Sequence, residues 1–311
     1  MAGSRFAYVR GFELPDPLLP STFFIIRLDG KGFHGFSDLH RFDKPNDVNA
    51  LELMNRAAMR VVGGRELNGE CVLAFGESDE YSFVFKRTCK LHGRRASKLT
   101  TLVTSVFTAA YVHLWPEYFP HSPLQLDHLP VFDGRVVQYT TQQEIRDYLR
   151  WRQVDTHINN LYNTSFWALV LKGGRSEFEA NKELSGTVSA QKQEMLFTQF
   201  GINYNHEPAM FRKGSLVVWE AVSEPEPEPE TETETEPAAV VGEEGEEAGS
   251  SELSQPRPPA AAAADQGGKK PSKPSKPKKA KKPKRRPVVV HEDLIGDEWW
   301  ETGRGRGVLD D

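Results

Sequence analysis

The sequence predicts a layered fold of strands and helices, α+β or α/β, on three observations. Phe23 to Leu28 is an unbroken run of aromatic and aliphatic residues around Arg27, long enough for a strand buried on both faces, and it stops at Asp29-Gly30. Val72 to Phe75 and Tyr81 to Phe85 are also strand-like, and Gly76-Glu77-Ser78-Asp79-Glu80 between them has the length and composition of a hairpin tip. Helical periodicity fills the intervals before and after that hairpin. The resulting order of strand, helix, hairpin, helix and strand is that of a split βαβ sheet.

Each element follows from its residues. Gly30 and Gly32 let the backbone after the first strand approach a ligand closely and turn its N–H groups toward phosphate oxygens. Asp47 is an N-cap for a helix whose apolar positions include Leu51, Met54, Ala58 and Val61. A second helix follows Arg94 to Lys98, with Leu99, Leu102, Val103, Val106, Phe107 and Ala110 as its buried stripe. Phe132 to Tyr139 (FDGRVVQY) reads as the next strand.

A third helix begins near Gln142. Along it Arg152, Asp155, Asn159 and Asn163 recur at spacings of three and four and share a face, flanked by His157 and Asn160. A polar stripe among apolar residues needs partners. Either it caps neighbouring loops within the protein or it meets a nucleotide or an RNA terminus. His157 is not a zinc ligand on this reading, because no Cys or His lies at metal spacing nearby.

The two strand ends carry the chemistry. If the strands adjoin in one sheet, Asp29 and Asp79 meet, and a pair of acids emerging from central strands suits a divalent metal. Mg²⁺ fits best, because it takes one or two carboxylates together with waters and substrate phosphates. Taken singly, the first segment also reads as an ordinary Asp-Gly turn and the second as a solvated acidic hairpin tip.

At this point the residues resemble the tRNA-histidine guanylyltransferases of the 3′–5′ polymerase superfamily, in their eukaryotic form. The matching segments include RLDGKGFHGF, KPND, GESDEYSFVFKR, RRASK, FDGRVV, WRQVDTHINNLYNTSFWAL, FGINYNHEPAMFRKG and HEDLIGDEWW, in order from about residue 5 to 220 and again from about 290. The resemblance implies a polymerase-palm-like (ferredoxin-like) antiparallel α+β sheet with helices on one side and a disordered low-complexity C-terminal insertion. It also implies a homotetramer acting on histidine tRNA with ATP, GTP and Mg²⁺. On this basis the expected organisation is a palm-like catalytic domain over residues 1–140, the remainder of the core over 141–222, a linker over 223–288 and a short docking tail over 289–311.

The resemblance also assigns residues. It implies Asp29, Asp79 and Glu80 as catalytic, with Asp29, Asp79 and the Gly30 carbonyl on Mg²⁺. Lys31, Gly32, Phe33, His34, Lys44, Asn46 and Ser78 complete the nucleotide contacts. Arg94, Arg95, Lys98, Arg152, Asp155, His157, Asn160, Asn163, Arg212 and Lys213 are expected at the triphosphate or the tRNA end. Arg at a helix start is disfavoured by the helix dipole, which adds weight to a phosphate partner for Arg94 and Arg95. Three positions depart from the family pattern: Lys31 and Gly32 after the Asp-Gly pair, and Glu77 as a third acid near Asp79 and Glu80. Two other classes compete. A nucleotide cyclase shares the palm and metal pair without needing the 152–163 stripe, and a non-catalytic RNA-binding member would be expected to lack one of the two aspartates.

Composition agrees with an enzyme of this kind without naming one. The chain has 311 residues, 38% of them hydrophobic, and a net charge of −5 that conceals two opposed blocks. Glu224 to Glu247 carries 11 acidic residues and Lys269 to Arg286 carries 11 basic ones, both amid residues that bury too little apolar surface to offset chain entropy. The basic block reads as a nuclear-import signal, an RNA-binding arm or a solvated linker. Two cysteines, Cys71 and Cys89, without metal spacing point to a reducing compartment. No stretch approaches the ~20 apolar residues of a membrane span, and no signal peptide is evident, so the expected location is cytoplasm or nucleus.

Overall fold

The structure, a computed structural model, describes residues 4–222 and 284–310. These belong to one compact unit. The acidic block and most of the basic block therefore lie outside the described residues.

Six strands form one antiparallel sheet: β1 (Phe23–Gly30), β2 (Cys71–Glu77), β3 (Glu80–Phe85), β4 (Phe132–Tyr139), β5 (Ser215–Ala221) and β6 (Arg285–Val290), in the order β4-β1-β3-β2-β5-β6. The first four strands are the ferredoxin-like split βαβ arrangement, so the α+β reading holds and α/β is set aside. The hairpin is tighter than expected: β2 continues to Glu77 and β3 starts at Glu80, leaving only Ser78 and Asp79 as the turn, with Ser78 at φ +48°. Glu77 and Glu80 are thus paired strand residues.

Helices α1 (Phe33–Leu39), α2 (Val48–Val62) and α3 (Ala96–Tyr118) lie in sequence between the strands. Asp47 caps α2, accepting the Ala50 N–H at 3.0 Å. On one face of the sheet, Phe24, Ile26, Leu28 and Phe83 pack against Leu53, Ala57 and Val61 of α2 and Leu99, Val103 and Phe107 of α3.

Helices on one side describes α2 and α3 only. Successive strand residues point to opposite faces, so Phe23, Ile25, Phe75 and Val84 need cover as well. They obtain it from Ile145 and Leu149 of α4 (Gln142–Trp167) and from Leu294, Trp299, Trp300 and Leu309 of the C-terminal segment. A strand that is apolar at every position cannot leave one face to water. Past α4 a π-helical turn (Ala168–Lys172) leads to α5 (Glu177–Leu184), α6 (Ser189–Phe200) and α7 (Ala209–Lys213), and a short helix α8 (Glu298–Glu301) carries the paired tryptophans.

The end of the basic block is also more ordered than expected. Arg285 and Arg286 open β6, opposite Ala221 and Glu220 of β5, and the Val222 N–H donates to the Lys284 carbonyl at 2.9 Å. Ladder hydrogen bonds and the Arg286–Glu220 ion pair (3.9 Å) draw these residues into the sheet, so the linker ends before residue 288.

Candidate active site

Asp29 and Asp79 meet at one end of the sheet. Asp29 is the penultimate residue of β1, and the Gly30 N–H donates to the Asp79 carbonyl at 3.0 Å, so the β1 end and the β2–β3 turn are joined. A Cβ at Gly30 would stand 2.8 Å from Asp79 Oδ2 and 2.4 Å from the Phe33 ring, so only glycine lets this carboxylate close over the β1 end. Burial, followed by the negative charges of Asp29 and Glu80, raises the Asp79 pKa. Asp29 is more exposed, with Arg27 Nη2 and Arg135 Nη2 each 3.6 Å from one of its oxygens. Two neighbouring carboxylates, both half-buried, and an adjacent backbone carbonyl at Gly30 form an all-oxygen donor set that suits Mg²⁺. Among the described residues no group of three His, Cys, Asp or Glu side chains is arranged to hold a metal, so the two aspartates would share the ion with backbone, water or phosphate oxygens.

The nucleotide-facing turn is narrower than the sequence suggests. The Lys31 N–H is donated to the Val131 carbonyl (2.8 Å), and Gly32, at φ +71°, opens α1 so that the first-turn amides of Phe33 and His34 lack helical acceptors. The Phe33 side chain is buried against Phe36 and Phe132, while Lys31 and His34 are exposed and His34 Nε2 lies 3.5 Å from Asp38. Lys44 Nζ reaches Asp38 (2.9 Å) and Ser37 (3.3 Å) of α1, and Asn46 Nδ2 donates to Asn160 Oδ1 at 2.9 Å.

Glu80 lies on the face of Asp29, with Arg27 against both carboxylates, and is turned away from Asp79. In register it opposes Asp29, and its carboxylate is buried on the α4 side, paired with Arg27 and accepting from Arg152 Nη1 at 2.9 Å. Glu77 lies in the same cluster, 3.7 Å from Arg152, and burial pushes its pKa up to about 8, with Glu80 adding to the rise. The third acid therefore belongs to a buried polar layer beneath the hairpin and adds no donor beside Asp79.

Several expected phosphate or RNA contacts are structural. Arg94 is buried and donates to the carbonyls of Cys89 (3.0 Å), Arg87 (3.2 Å) and Thr22 (2.9 Å). Arg95, N-terminal to α3, pairs with Glu13 (2.5 Å) and Asp16 (3.2 Å), and Asp16 also accepts the Ser97 N–H at 2.6 Å. The unfavourable dipole is thus met by protein carboxylates. The Ser97 hydrogen bonds and then Arg95 lower the Asp16 pKa to about 2. A depressed folded-state pKa contributes stability above the unfolded value that is lost as pH falls through the folded one. Asp16→Asn is therefore expected to lower the melting temperature by a few degrees at pH 7, and the deficit should shrink as pH falls from about 4 toward 2; a deficit independent of pH over that range would contradict this account.

The α4 stripe divides. Arg152, Thr156, Asn160 and Thr164, at strict i+4 spacing, are buried, whereas Asn159 and Asn163 face solvent. Asp155 pairs with Arg152 at 3.2 Å. Asn160 lies within a hydrogen-bonded chain, and His157 stacks edge-on to Tyr204, its pKa lowered by burial and by Arg212. Arg212 Nε donates to the Glu207 carbonyl and Lys213 pairs with Asp293 (3.4 Å). Lys98, exposed on the first turn of α3, remains available to phosphate. The sequence reading missed Arg27 and Arg135 beside Asp29. Arg27 was legible, because it stands two residues before Asp29 on one strand face; Arg135 needed the β1–β4 register, which sets Arg135 opposite Arg27.

Comparisons with known proteins agree with this architecture. Residues 6–140 match the family model for tRNAHis guanylyltransferase, and residues 143–296 match the Thg1 C-terminal domain. The tRNA(His) guanylyltransferase of Saccharomyces cerevisiae is 55% identical over 217 residues, which is 70% of this chain and 91% of the yeast protein. That of Neurospora crassa is 49% identical over 303 residues, 97% of this chain and 94% of its own length. The crystal structure of the yeast protein superposes with a TM-score of 0.66 at 54% identity, covering 69% of this chain and 93% of that one. A bacterial tRNA(His) guanylyltransferase-like protein in complex with ATP shares the fold, with a TM-score of 0.55 at 23% identity over 68% of this chain and 84% of its own. Among the described residues no helix is long and apolar enough to cross a membrane. With family models matching nearly all of the described residues and half the positions shared with curated relatives, this chain belongs to the tRNAHis guanylyltransferase family and is a nucleotidyltransferase.

Proposed function

We propose that this enzyme adds one guanosine to the 5′ end of histidine tRNA by 3′–5′ nucleotide addition. The observation that carries the reading is the Asp79 carboxylate closing over Gly30 at the end of β1, next to Asp29 and beside a helix start free to meet phosphate. A 5′ monophosphate is a poor electrophile and must first be activated. An oxygen of the tRNA 5′ phosphate attacks the α-phosphorus of ATP, forming a P–O bond while the α–β bond breaks and pyrophosphate leaves. The 3′ hydroxyl of GTP then attacks the activated 5′ phosphorus, loses its proton, and expels AMP.

Asp29, Asp79 and the Gly30 carbonyl would hold Mg²⁺, which when bound neutralises phosphate charge and aligns the attacking and leaving oxygens. The chain's own residues do the rest. The amides of Phe33 and His34 orient the triphosphate, Lys31 and Lys98 offer charge to phosphate, and Ser78 stands at the turn beside Asp79. Arg27 and Arg135, each 3.6 Å from one Asp29 oxygen, hold its carboxylate in place at the site. A homotetramer belongs to the same reading, supported by exposed apolar side chains at Phe6, Tyr8, Phe12 and Leu14.

The test is guanosine addition to 5′-monophosphorylated histidine tRNA with ATP, GTP and Mg²⁺. Addition of a single guanosine to this tRNA and not to others is the expected result. Addition to truncated tRNAs in general would replace the reading with end repair. No transfer would favour a cyclase, for which conversion of ATP or GTP to the cyclic nucleotide is the check.

A further inference from the structure

Three polar side chains from separate parts of the chain form one buried line. The Tyr204 hydroxyl accepts a hydrogen bond from Asn160 Nδ2 at 3.0 Å, and Asn160 Oδ1 accepts one from Asn46 Nδ2 at 2.9 Å. Tyr204 is 3% exposed and Asn160 is 7% exposed, so water does not compete for the bond between them, and Asn46 at the end of the line is half-buried. The Tyr204 ring packs with Leu161, Ala168 and Leu196, while its hydroxyl donates to the His157 carbonyl at 3.5 Å.

The far end of the line is the loop that closes on α1. Asp47 accepts the Asp43 N–H at 3.0 Å and caps α2, so the 43–47 loop is folded on itself. Lys44 ties the loop to Asp38 and Ser37 of α1, the helix that starts directly after Asp29-Gly30. Asn46 is its hydrogen bond to α4. Once Asn160 loses the Tyr204 hydroxyl, its amide nitrogen is buried without an acceptor and the amide gains by rotating away, which releases Asn46.

Resting on the nucleotide reading above, we propose that Tyr204 is a positioning residue that acts through Asn160 and Asn46 to hold the 43–47 loop against α1 for nucleotide binding. Tyr204→Phe keeps the ring in its apolar cluster and removes only the hydroxyl. It weakens MgGTP binding on the order of tenfold, with turnover at saturating GTP within about twofold of wild type.

The experiment is isothermal titration of the full chain and its variants with MgGTP, with steady-state assay and melting temperature alongside. In an Asn46→Ala background, adding Tyr204→Phe should change the GTP dissociation constant no further, because the line is already cut at its end. Additive effects of the two changes would overturn the proposal, as would a lowered melting temperature with unchanged GTP affinity. Wild-type protein that fails to bind GTP would overturn the nucleotide reading together with it. Wild-type binding with an unaltered Tyr204→Phe constant would remove the Tyr204 role alone. If Tyr204→Phe does not fold, Asn160→Ser, which shortens the middle of the line, serves in the same cycle with the same expected and contrary results.

Discussion

Asp79→Asn stops nucleotide transfer while leaving the protein folded and no less stable than wild type. The substitution keeps the shape of a side chain that closes over Gly30 and removes its charge. In the protein alone that charge is unfavourable, since burial and the neighbouring Asp29 both raise the Asp79 pKa. Neutralising it should hold or raise the melting temperature. Loss of one of two carboxylates that would hold Mg²⁺ should lower turnover on the order of a thousandfold. Activation and transfer can be followed separately as pyrophosphate release and labelled GTP incorporation, and both should fall. Retained turnover at either step would remove Asp79 from that step's machinery, and a collapsed melting curve would show that it serves the fold instead.

Arg152→Ala costs about 3 kcal/mol of stability, because it takes a buried cation from Glu80 and leaves Glu77, whose pKa burial pushes up to about 8, without its neighbour. Arg152 is 4% exposed and spans Glu80 (2.9 Å), Glu77 (3.7 Å) and Asp155 (3.2 Å). Arg27 still meets Glu80 and the Ser82–Tyr148 hydrogen bond (2.7 Å) still ties β3 to α4, but the charged link from the hairpin to α4 is gone. Denaturant unfolding reads the loss directly. Arg152→Lys should recover only part of it, since a point charge cannot reproduce a fork that serves three acids. If Arg152 instead contacted RNA, stability would stay unchanged and only the KM for tRNA would rise.

The first four strands were legible because their side chains carry unambiguous patterns, whereas β5 and β6 were not named and β6 opens within the expected linker. Phe23 to Leu28 reads as buried on both faces, and both faces are indeed covered. What the pattern could not give was the identity of the second cover, which depends on Trp299 and Trp300 returning from the far end of the chain. The pairing of Asp29 with Asp79 was legible for the same reason as the sheet: it follows from strand order alone. The direction of a charged side chain was not. Arg94, Arg95 and Arg152 look on paper like Lys98, yet the three arginines meet carbonyls or carboxylates from distant segments, and Glu80 differs from its neighbour Asp79 by a single step of strand alternation. Helical spacing placed Arg152 and Asn163 on one face, but the buried line runs through Arg152, Thr156, Asn160 and Thr164, winding about 40° around the axis per step, and Thr156 and Thr164 were passed over because they carry no charge.

One hydrogen bond, from the Val222 N–H to the Lys284 carbonyl, bears on how this protein can change over time. It closes the β5–β6 ladder at the point where a connection of roughly sixty residues departs and returns, and lengthening a loop whose ends are already fixed costs only about 0.6 kcal/mol per doubling. Selection acting on the fold is therefore nearly blind to the length of that connection. New chain ends opened between Val222 and Lys284 would leave each of the described strands with its present partner.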